Sequence, residues 1–433
     1  MSLHKSSRKK RLVIVGLLAL ALVVVTASEA PARRSPFQPL TIFARALAYI
    51  EVNYVEPVDQ KSLVYGAIRG LAEALDPHSV FLEPEEYEIL ESDAEGRFAG
   101  VGVEVSMRDG WLTILTVFEG GPADEAGLEP GDRFLGIEGM DARDIRLYDA
   151  VRLIRGEVGT DVNVTIRREG IDKAIERKLT RAFIDVDPIQ LQYLENGIVY
   201  VQIRSFQENT AELLNEALDQ AVMTLHRKGG LEGLLLDLRD NGGGLLREAV
   251  LVSDEFLSSG VVLTTRGRGG ELIQGFSARR GGTRPKWPMV ILINEQTASA
   301  AEIVAGALSD HKRAVLVGTR TFGKGSVQNI FELPDGSALK LTIARYYTPS
   351  GRSIQAEGIS PDILAEQPKE DGIPAPIREE ELEGHLAAKP TPGNRRRQPA
   401  IASQTKKPHT SALLANDLQA QRGYQVLQEL IRR

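Results

Sequence analysis

The stretch MVILINEQTASAAEIVAGALSDHKRAVLVGTRTFGKGSVQ, residues 289–328, decides the fold of this chain. Its first five residues, Met289 to Ile293, form an apolar run with the length of a buried strand. A polar turn follows, and Ala298 to Leu308 then shows the apolar spacing of a helix. A second apolar run, Ala314 to Val317, leads to a lysine between two glycines. The stretch therefore predicts an α/β core in which a strand passes directly into a helix.

Ser299 lies where the predicted strand passes into the predicted helix. The free N–H groups and the positive dipole end of a helix N-terminus would stabilise an oxyanion formed there. The hydroxyl needs a base, and Lys324 can serve if burial lowers its pKa. Ser–Lys pairs are a known variant of the serine triad, so the pattern predicts such a dyad. The alternative is that Ser299 only caps the helix.

Two other interpretations of this stretch are weaker. The segment from Gly318 to Lys324 comes close to a phosphate-binding P-loop. However, Gly325 stands where that loop has Ser or Thr, and a predicted strand follows instead of a helix. His311 could be a base, but it is twelve residues beyond Ser299 on one predicted helix. At about 1.5 Å per residue it would lie roughly 18 Å away.

Composition excludes several classes of protein. The chain has 433 residues, which suggests two to four domains, and 42% of them are apolar. Its formal net charge of −7 gives no global basic surface for nucleic acid. There is no cysteine, and the six histidines show no metal-ligand spacing. We therefore expect no metal, no nucleotide and no other cofactor.

The N-terminus has the pattern of a secretory signal. A basic segment comes first, with Lys5, Arg8, Lys9, Lys10 and Arg11. The apolar core runs from Leu12 to Val25, and small residues suited to cleavage follow at 27–30. An uncleaved inner-membrane anchor is the alternative, since the core is close to the shortest spanning length. Either way the sequence predicts export, which in a bacterium with two membranes means the periplasm.

Three segments together resemble the carboxyl-terminal processing peptidases, a serine–lysine family. They are Thr297 to Ile303, Gly318 to Gly325 and Tyr346 to Gln355, and the resemblance extends over roughly residues 45 to 365. The spacing of the serine and the lysine matches the family. Two positions depart from its usual run around the serine, Gln296 and Ala301, but the nucleophile and the residue after it are kept.

The resemblance implies roles for further residues. Gln328 corresponds to the glutamine that supports the lysine in this family. Gly243, in the glycine-rich turn after the apolar run 234–238, and the backbone N–H of Ala300 correspond to the oxyanion donors. Gly242 replaces the family's proline in that turn, so a neighbour of Gly243 could be the donor instead.

Residues 96–182 resemble a PDZ domain. Its carboxylate-binding loop, whose backbone N–H groups hold a peptide C-terminus, corresponds to Gly100, Val101, Gly102 and Val103. A groove helix is predicted around Leu147, Val151 and Ile154. Arg155, at its end, is expected to contact the protease core and couple peptide binding to activity. The substrates expected from this resemblance are the C-termini of proteins or peptides.

The fold class that follows is a mixed α/β and α+β multidomain protein. We expect a signal peptide or anchor (1–30), a helical N-terminal segment (31–95), the PDZ domain (96–182), a peptidase core (183–365) and a linker with a C-terminal helix (366–433). The core would resemble the crotonase-like ββα fold. Self-association through the C-terminal helix, an activating or adaptor protein, and inner-membrane association are further expected partners. A PDZ scaffold that binds tails without cutting them, and a P-loop nucleotide binder, are the rival functions.

Overall fold

The computed structural model describes residues 38–108, 110–143, 145, 147–171, 173–367, 377–388, 400–401, 414 and 417–433. The chain divides into two compact units at Ala67. The first contains a helix and the beginning of a second, and all other elements belong to the unit that starts at Ile68. The predicted signal or anchor lies outside the described residues. Within the described residues, no helix is long and apolar enough to cross a membrane.

The helices of the described residues are numbered in chain order. They are α1 Gln38–Asn53, α2 Gln60–Glu73, α3 Pro84–Glu95, α4 Pro122–Glu125, α5 Leu147–Ile154, α6 Thr210–Leu225, α7 Leu246–Phe256, α8 Ala300–Asp310 and α9 Leu418–Ile431. Short 3-10 turns occupy His226–Lys228, Arg268–Gly270 and Glu379–Glu381.

The strands are numbered in the same way. They are β1 Val80–Leu82, β2 Arg97–Gly100, β3 Val103–Arg108, β4 Trp111–Val117, β5 Arg133–Ile137, β6 Met140–Asp141, β7 Asp161–Arg167, β8 Ile175–Thr180, β9 Ala182–Asp185, β10 Ile189–Tyr193, β11 Ile198–Ile203, β12 Gly233–Asp237, β13 Val261–Arg266, β14 Leu272–Ser277, β15 Met289–Ile293, β16 Val315–Gly318, β17 Ser326–Glu332, β18 Ala338–Tyr347, β19 Ile363–Leu364 and β20 Ala400–Ile401. The mixed α/β multidomain architecture expected from the sequence is confirmed.

The central sheet has the order β10-β11-β12-β15-β16-β19-β20, and every pair except β10 with β11 is parallel. Its middle strands β12 and β15 are buried along their whole length. That burial explains why they are continuous apolar runs, since parallel strands are covered on both faces. In such sheets, sites form at the carboxyl ends of the strands. This edge carries the turns after β12 and β15.

Two further sheets complete the second unit. An antiparallel sheet has the order β1-β18-β13-β14, with β17 paired to β18. Another has the order β3-β4-β5-β7-β8, with β6 on β5, and it occupies the region predicted as a PDZ domain. Strands β2 and β9, which come from the two ends of that region in the sequence, form a short antiparallel pair. Strand β17 begins two residues after Lys324, as the sequence predicts, where a P-loop would have a helix.

Alternate side chains of the central strands pack on opposite faces of the sheet. Leu234 and Leu236 face the core shared with α6, α7 and α8, whereas Leu235 faces α9. Gly423 of α9 lies so close to the sheet that an added Cβ would be 2.6 Å from Leu292. The C-terminal helix therefore packs on the sheet of its own chain, whereas the sequence suggested that it would meet a partner.

Part of the predicted linker, 366–410, is bound to the core. Residues 377–388 are described, and Glu379 in them is fully buried. The charged composition of this region predicts a solvated linker because it has no apolar periodicity. The prediction is wrong for this segment, since polar contacts rather than apolar packing hold it in place.

Candidate active site

Ser299 immediately precedes α8, at the carboxyl end of β15. Its φ of 53° and ψ of −114° lie outside the usual regions for a residue with a side chain. A residue held in such a conformation costs of order 1–3 kcal/mol and persists only where its surroundings fix it. Ser299 is nearly buried, with 9% of its surface exposed. A strained serine on a sharp strand-to-helix turn is the geometry of an exposed nucleophile in other hydrolase folds.

The turns after β12 and β15 are tied to each other. The hydroxyl of Thr297 donates to the carbonyl of Leu238 at 2.8 Å, and the N–H of Ala298 donates to the carbonyl of Asn241 at 2.9 Å. The side chain of Asn294 bonds Asp240 at 2.7 Å. These bonds hold the backbone just before the serine and place the glycine-rich turn beside it.

The buried carboxylate of Glu302 joins the serine to the lysine loop, residues 320–325. Its Oε2 accepts the backbone N–H of Ser299 and that of Lys324, both at 2.9 Å. Its Oε1 accepts the N–H of Gly323 at 2.8 Å and the hydroxyl of Thr321. The two backbone nitrogens therefore share one oxygen atom, although 24 residues, 300–323, lie between Ser299 and Lys324 along the sequence. This side chain brings the backbones of the two predicted catalytic residues to one place.

Burial shifts the ionisation of both groups in this cluster. It raises the pKa of Glu302 to about 7, against the hydrogen bonds from Thr321, Ser299, Gly323 and Lys324. It lowers the pKa of the Lys324 ammonium, against the attraction of nearby carboxylates. A lowered lysine pKa is what a general base near neutral pH requires.

Gln328 does not contact the lysine in the way the family resemblance implies. Its Nε2 donates to Oγ of Ser326 at 2.9 Å and to Oγ1 of Thr342 at 3.3 Å. Thr342 in turn donates to Asp76 at 3.0 Å. In this structure Gln328 therefore belongs to the polar network beside the lysine loop rather than to the lysine itself.

The predicted oxyanion donors lie side by side, but only one is available. An ideal Cβ added at Gly243, where φ is 105°, would be 2.8 Å from Cβ of Ser299 and 3.0 Å from the nitrogen of Ala300. Ala300 is the first residue of α8, so its N–H has no acceptor within the helix. The N–H of Gly243 instead donates to Oδ1 of Asn241 at 2.8 Å.

The polar end of α8 has its own partners. Asp310 accepts Nη2 of Arg352 at 2.6 Å, and Nε2 of His311 lies 2.7 Å from the carbonyl of Val261. Both residues are at the opposite end of the helix from Ser299, as their spacing predicts. Among the described residues, no group of His, Asp and Glu is arranged to hold a metal ion.

The peptide groove predicted between β3 and α5 is present as a cavity of about 290 Å³. Gly100, Val101, Gly102 and Val103 line one end of it, and Gly102 has a φ of 79°. Its walls are mainly apolar, from Phe98, Val105, Phe118, Leu147, Val151 and Ile154. Such a groove suits an extended peptide that ends in an apolar side chain.

Arg155 also lines this cavity, but its described contacts are not with the peptidase core. Its guanidinium pairs with Asp93 of α3 and lies 4.4 Å from the centre of the Phe98 ring. Helix α3 in turn contacts the core, because the carbonyl of Ala94 accepts the N–H of Glu208 at 2.9 Å. The expected coupling residue thus reaches the core through α3 rather than directly.

Two features of this site were not assigned a role from the sequence. Glu302 stands three residues after Ser299, which is the Ser-x-x-Glu spacing of a capping box. That signal could have shown that its carboxylate faces the serine N–H. Nothing in the local sequence marks the contacts of Gln355 and Glu379 with the lysine loop, since their partners are remote along the chain.

Comparison with family models identifies three regions of the chain. Residues 197–365 match peptidase family S41, residues 113–168 match a PDZ domain, and residues 23–86 match the N-terminal domain of the activating protease CtpB. The first two matches coincide with the central sheet and with the sheet of the peptide groove.

Relatives match over most of the chain. The carboxy-terminal-processing protease of Bartonella bacilliformis is 38% identical over 376 residues, covering 86% of this chain and 85% of that protein. The carboxy-terminal processing protease CtpA of Bacillus subtilis is 35% identical and covers 76% of this chain and 70% of that protein. The solved structure of the photosystem II D1 C-terminal processing protease is 32% identical, with a TM-score of 0.53, and covers 76% of this chain and 88% of that one. The chain therefore belongs to the carboxy-terminal processing proteases of peptidase family S41, and it is a serine-type peptidase with a PDZ domain.

Proposed function

We propose that this chain is an exported endopeptidase that captures protein C-termini in its PDZ groove and cuts them with a Ser299–Lys324 dyad. The observation that carries the proposal is the shared carboxylate of Glu302, which accepts the N–H of both residues. The strained conformation of Ser299 and the lowered pKa of Lys324 support it.

In the proposed reaction, neutral Lys324 takes the proton of the Ser299 hydroxyl as Oγ attacks the peptide carbonyl. The N–H of Ala300 donates to the oxyanion that forms. Collapse breaks the carbon–nitrogen bond, and Lys324 gives its proton to the leaving amine. Water, with one proton taken by Lys324, then attacks the acyl-enzyme; the bond from carbon to Oγ breaks, and Lys324 returns that proton to Oγ to restore the serine. For Gly243 to be the second donor, its N–H must leave Oδ1 of Asn241.

The apolar walls of the groove and its backbone loop support capture of an apolar C-terminus. Export rests on the basic, apolar and small-residue pattern of the first thirty residues. Together they describe a periplasmic processing enzyme that is either released by signal cleavage or tethered to the inner membrane.

The test is hydrolysis of fluorescently labelled casein by Ser299→Ala and Lys324→Ala. Each is expected to lower kcat by at least about 10³-fold, because the nucleophile and its base act as a unit. Lys312→Ala, which removes an exposed lysine just after α8, is the matched control and should retain full activity. Circular dichroism must show that all three variants fold. Substantial turnover by either dyad variant would exclude the proposed mechanism.

A further inference from the structure

The segment that follows the S41 match binds the lysine loop, here residues 320–325. This segment comprises residues 377–388. The guanidinium of Arg378 donates to the carbonyl of Arg320 at 2.9 Å and to that of Thr321 at 3.1 Å. The N–H of Glu379 donates to the carbonyl of Phe322 at 3.3 Å. These contacts fix the backbone of the segment along the loop and direct the side chain of Glu379 into the protein.

The carboxylate of Glu379 is fully buried and contacts two side chains. Its Oε1 accepts Nε2 of Gln355 at 2.6 Å, and its Oε2 lies 2.7 Å from Nε2 of His78. Its exposed fraction is 0%. A buried carboxylate is costly unless it is bonded and paired, so this arrangement has to be maintained by the fold.

Gln355 connects this carboxylate to the residue after the lysine. It is fully buried, and its Oε1 accepts the N–H of Gly325 at 3.0 Å. Gly325 has no room for a side chain, because an added Cβ would be 2.2 Å from the nitrogen of Gln355. With Glu302 bonded to the N–H of Lys324, the lysine backbone is held on both sides.

We propose that Glu379 is a positioning residue of the hydrolytic site, which anchors the lysine loop through Gln355 and holds a negative charge beside the Lys324 ammonium. The inference rests on the proposed Ser–Lys mechanism and adds the source of the lysine's placement and of its working pH range.

Charged groups from several parts of the chain surround the lysine. Burial lowers the pKa of Lys324, and three carboxylates act in the opposite direction, with Glu379 the strongest, followed by Glu302 and Asp76. Lys340 of β18 faces the same cluster, and burial and the charge of Lys324 lower its pKa.

His78 is the remaining titratable neighbour and contacts Glu379 directly. Burial therefore lowers the pKa of Lys324 and favours the neutral amine, whereas the carboxylate of Glu379 limits how far that pKa falls.

The sign of the effect follows from this balance. A negative charge stabilises the ammonium, so its removal makes Lys324 neutral at lower pH. Glu379→Gln keeps the shape of the side chain, since the amide oxygen can accept from Gln355 while the NH₂ group faces Nε2 of His78. We expect the ascending limb of the pH profile to move down by roughly one pH unit, with the plateau of kcat retained.

The measurement is the second-order rate of Ser299 labelling by a fluorophosphonate between pH 5 and 10, alongside kcat and KM on casein. The fluorophosphonate needs the base but not the peptide groove, so its pH profile reports the ionisation of the hydrolytic site without that of the groove. Glu381→Gln, an exposed carboxylate in the same 3-10 turn, is the matched control and should reproduce the wild-type midpoint. A midpoint in Glu379→Gln that is unchanged or raised would overturn the proposal.

Glu379→Asp is a second test of the proposal, and it can be used even if Glu379→Gln does not fold. It keeps the charge but retracts the carboxylate from Gln355, so kcat should fall roughly tenfold while KM and the midpoint stay in place. Wild-type kcat in this variant would show that the anchor is not needed. If Lys324→Ala itself labels at the wild-type rate, the dyad is wrong; if it is inert and Glu379→Gln is unshifted, only the present inference fails.

Discussion

The serine side of the site, residues 289–302, and the lysine side, residues 318–328 with their partners, are built in different ways. On the serine side, one continuous segment supplies the strand, the strained turn and the helix N-terminus. The lysine side is held by Asp76, Gln355 and Glu379, which are far apart along the chain. A nucleophile can therefore be recognised from local sequence, whereas the environment that tunes its base depends on contacts that only the fold creates.

Glu302 accepts hydrogen bonds from both sides, so its removal should have the largest effect. Glu302→Ala leaves the N–H groups of Ser299, Gly323 and Lys324 and the hydroxyl of Thr321 without their acceptor. We expect the free energy of unfolding to fall by about 3 kcal/mol or more. Displacement of the two reacting groups should lower kcat by roughly 10²-fold.

Urea denaturation and casein hydrolysis measure these two effects of Glu302→Ala. Glu216→Ala, an exposed glutamate of α6, is the matched control. If Glu302→Ala kept wild-type kcat, the serine side and the lysine side would each hold their reacting group without Glu302.

The pH dependence of the wild-type enzyme tests the lysine side next. Burial lowers the pKa of Lys324 from its usual 10.5, and the neutral amine is the proposed base. Below the midpoint the rate should therefore rise about tenfold per pH unit, and above the midpoint it should level off. The midpoint should lie below 10.5. A fluorophosphonate labelling profile measures this directly. A rate that falls with rising pH across the same range would mean that the protonated lysine is the active form.

The fold was largely predictable, since apolar runs such as Met289–Ile293 mark buried strands by composition alone. The structure keeps that strand, and places the helix at Ala300–Asp310 against the predicted Ala298–Leu308. Residues 377–388 were predicted as linker because a segment bound by polar contacts has no periodic signal. The pairing of Arg155 with Asp93 was not predicted either, because it depends on how the PDZ region packs against α3.

The serine side has one distant support, which predicts a smaller effect. Arg239, just before the glycine-rich turn, pairs with Asp237 and with Asp417 at 2.6 Å each. Asp417 also caps α9 by accepting the N–H of Ala420. Asp417→Ala should lower the free energy of unfolding by about 2 kcal/mol, because it removes a helix cap and one partner of a buried guanidinium.

Urea denaturation of Asp417→Ala measures this loss, with Glu429→Ala, an exposed glutamate of the same helix, as the control. We expect kcat to change less than in Glu302→Ala, since Arg239 keeps Asp237. If Asp417→Ala were as stable as Glu429→Ala, the serine side would need no support from the C-terminal helix.

The smallest effect is expected at the contact between the peptide groove and α3. Arg155 lines the groove and pairs with Asp93, whose side chain is about half exposed, so the pair should contribute less than about 1 kcal/mol. Arg155→Ala should therefore reduce the stimulation of casein hydrolysis by a C-terminal peptide roughly two- to fivefold. Asp93→Ala should do the same, and the double variant should be no worse than either single one, because both remove the same contact. Glu88→Ala, exposed on the same helix, is the control. Additive losses would mean that Arg155 and Asp93 act separately, and the groove would then signal to the lysine and serine sides by a route other than α3.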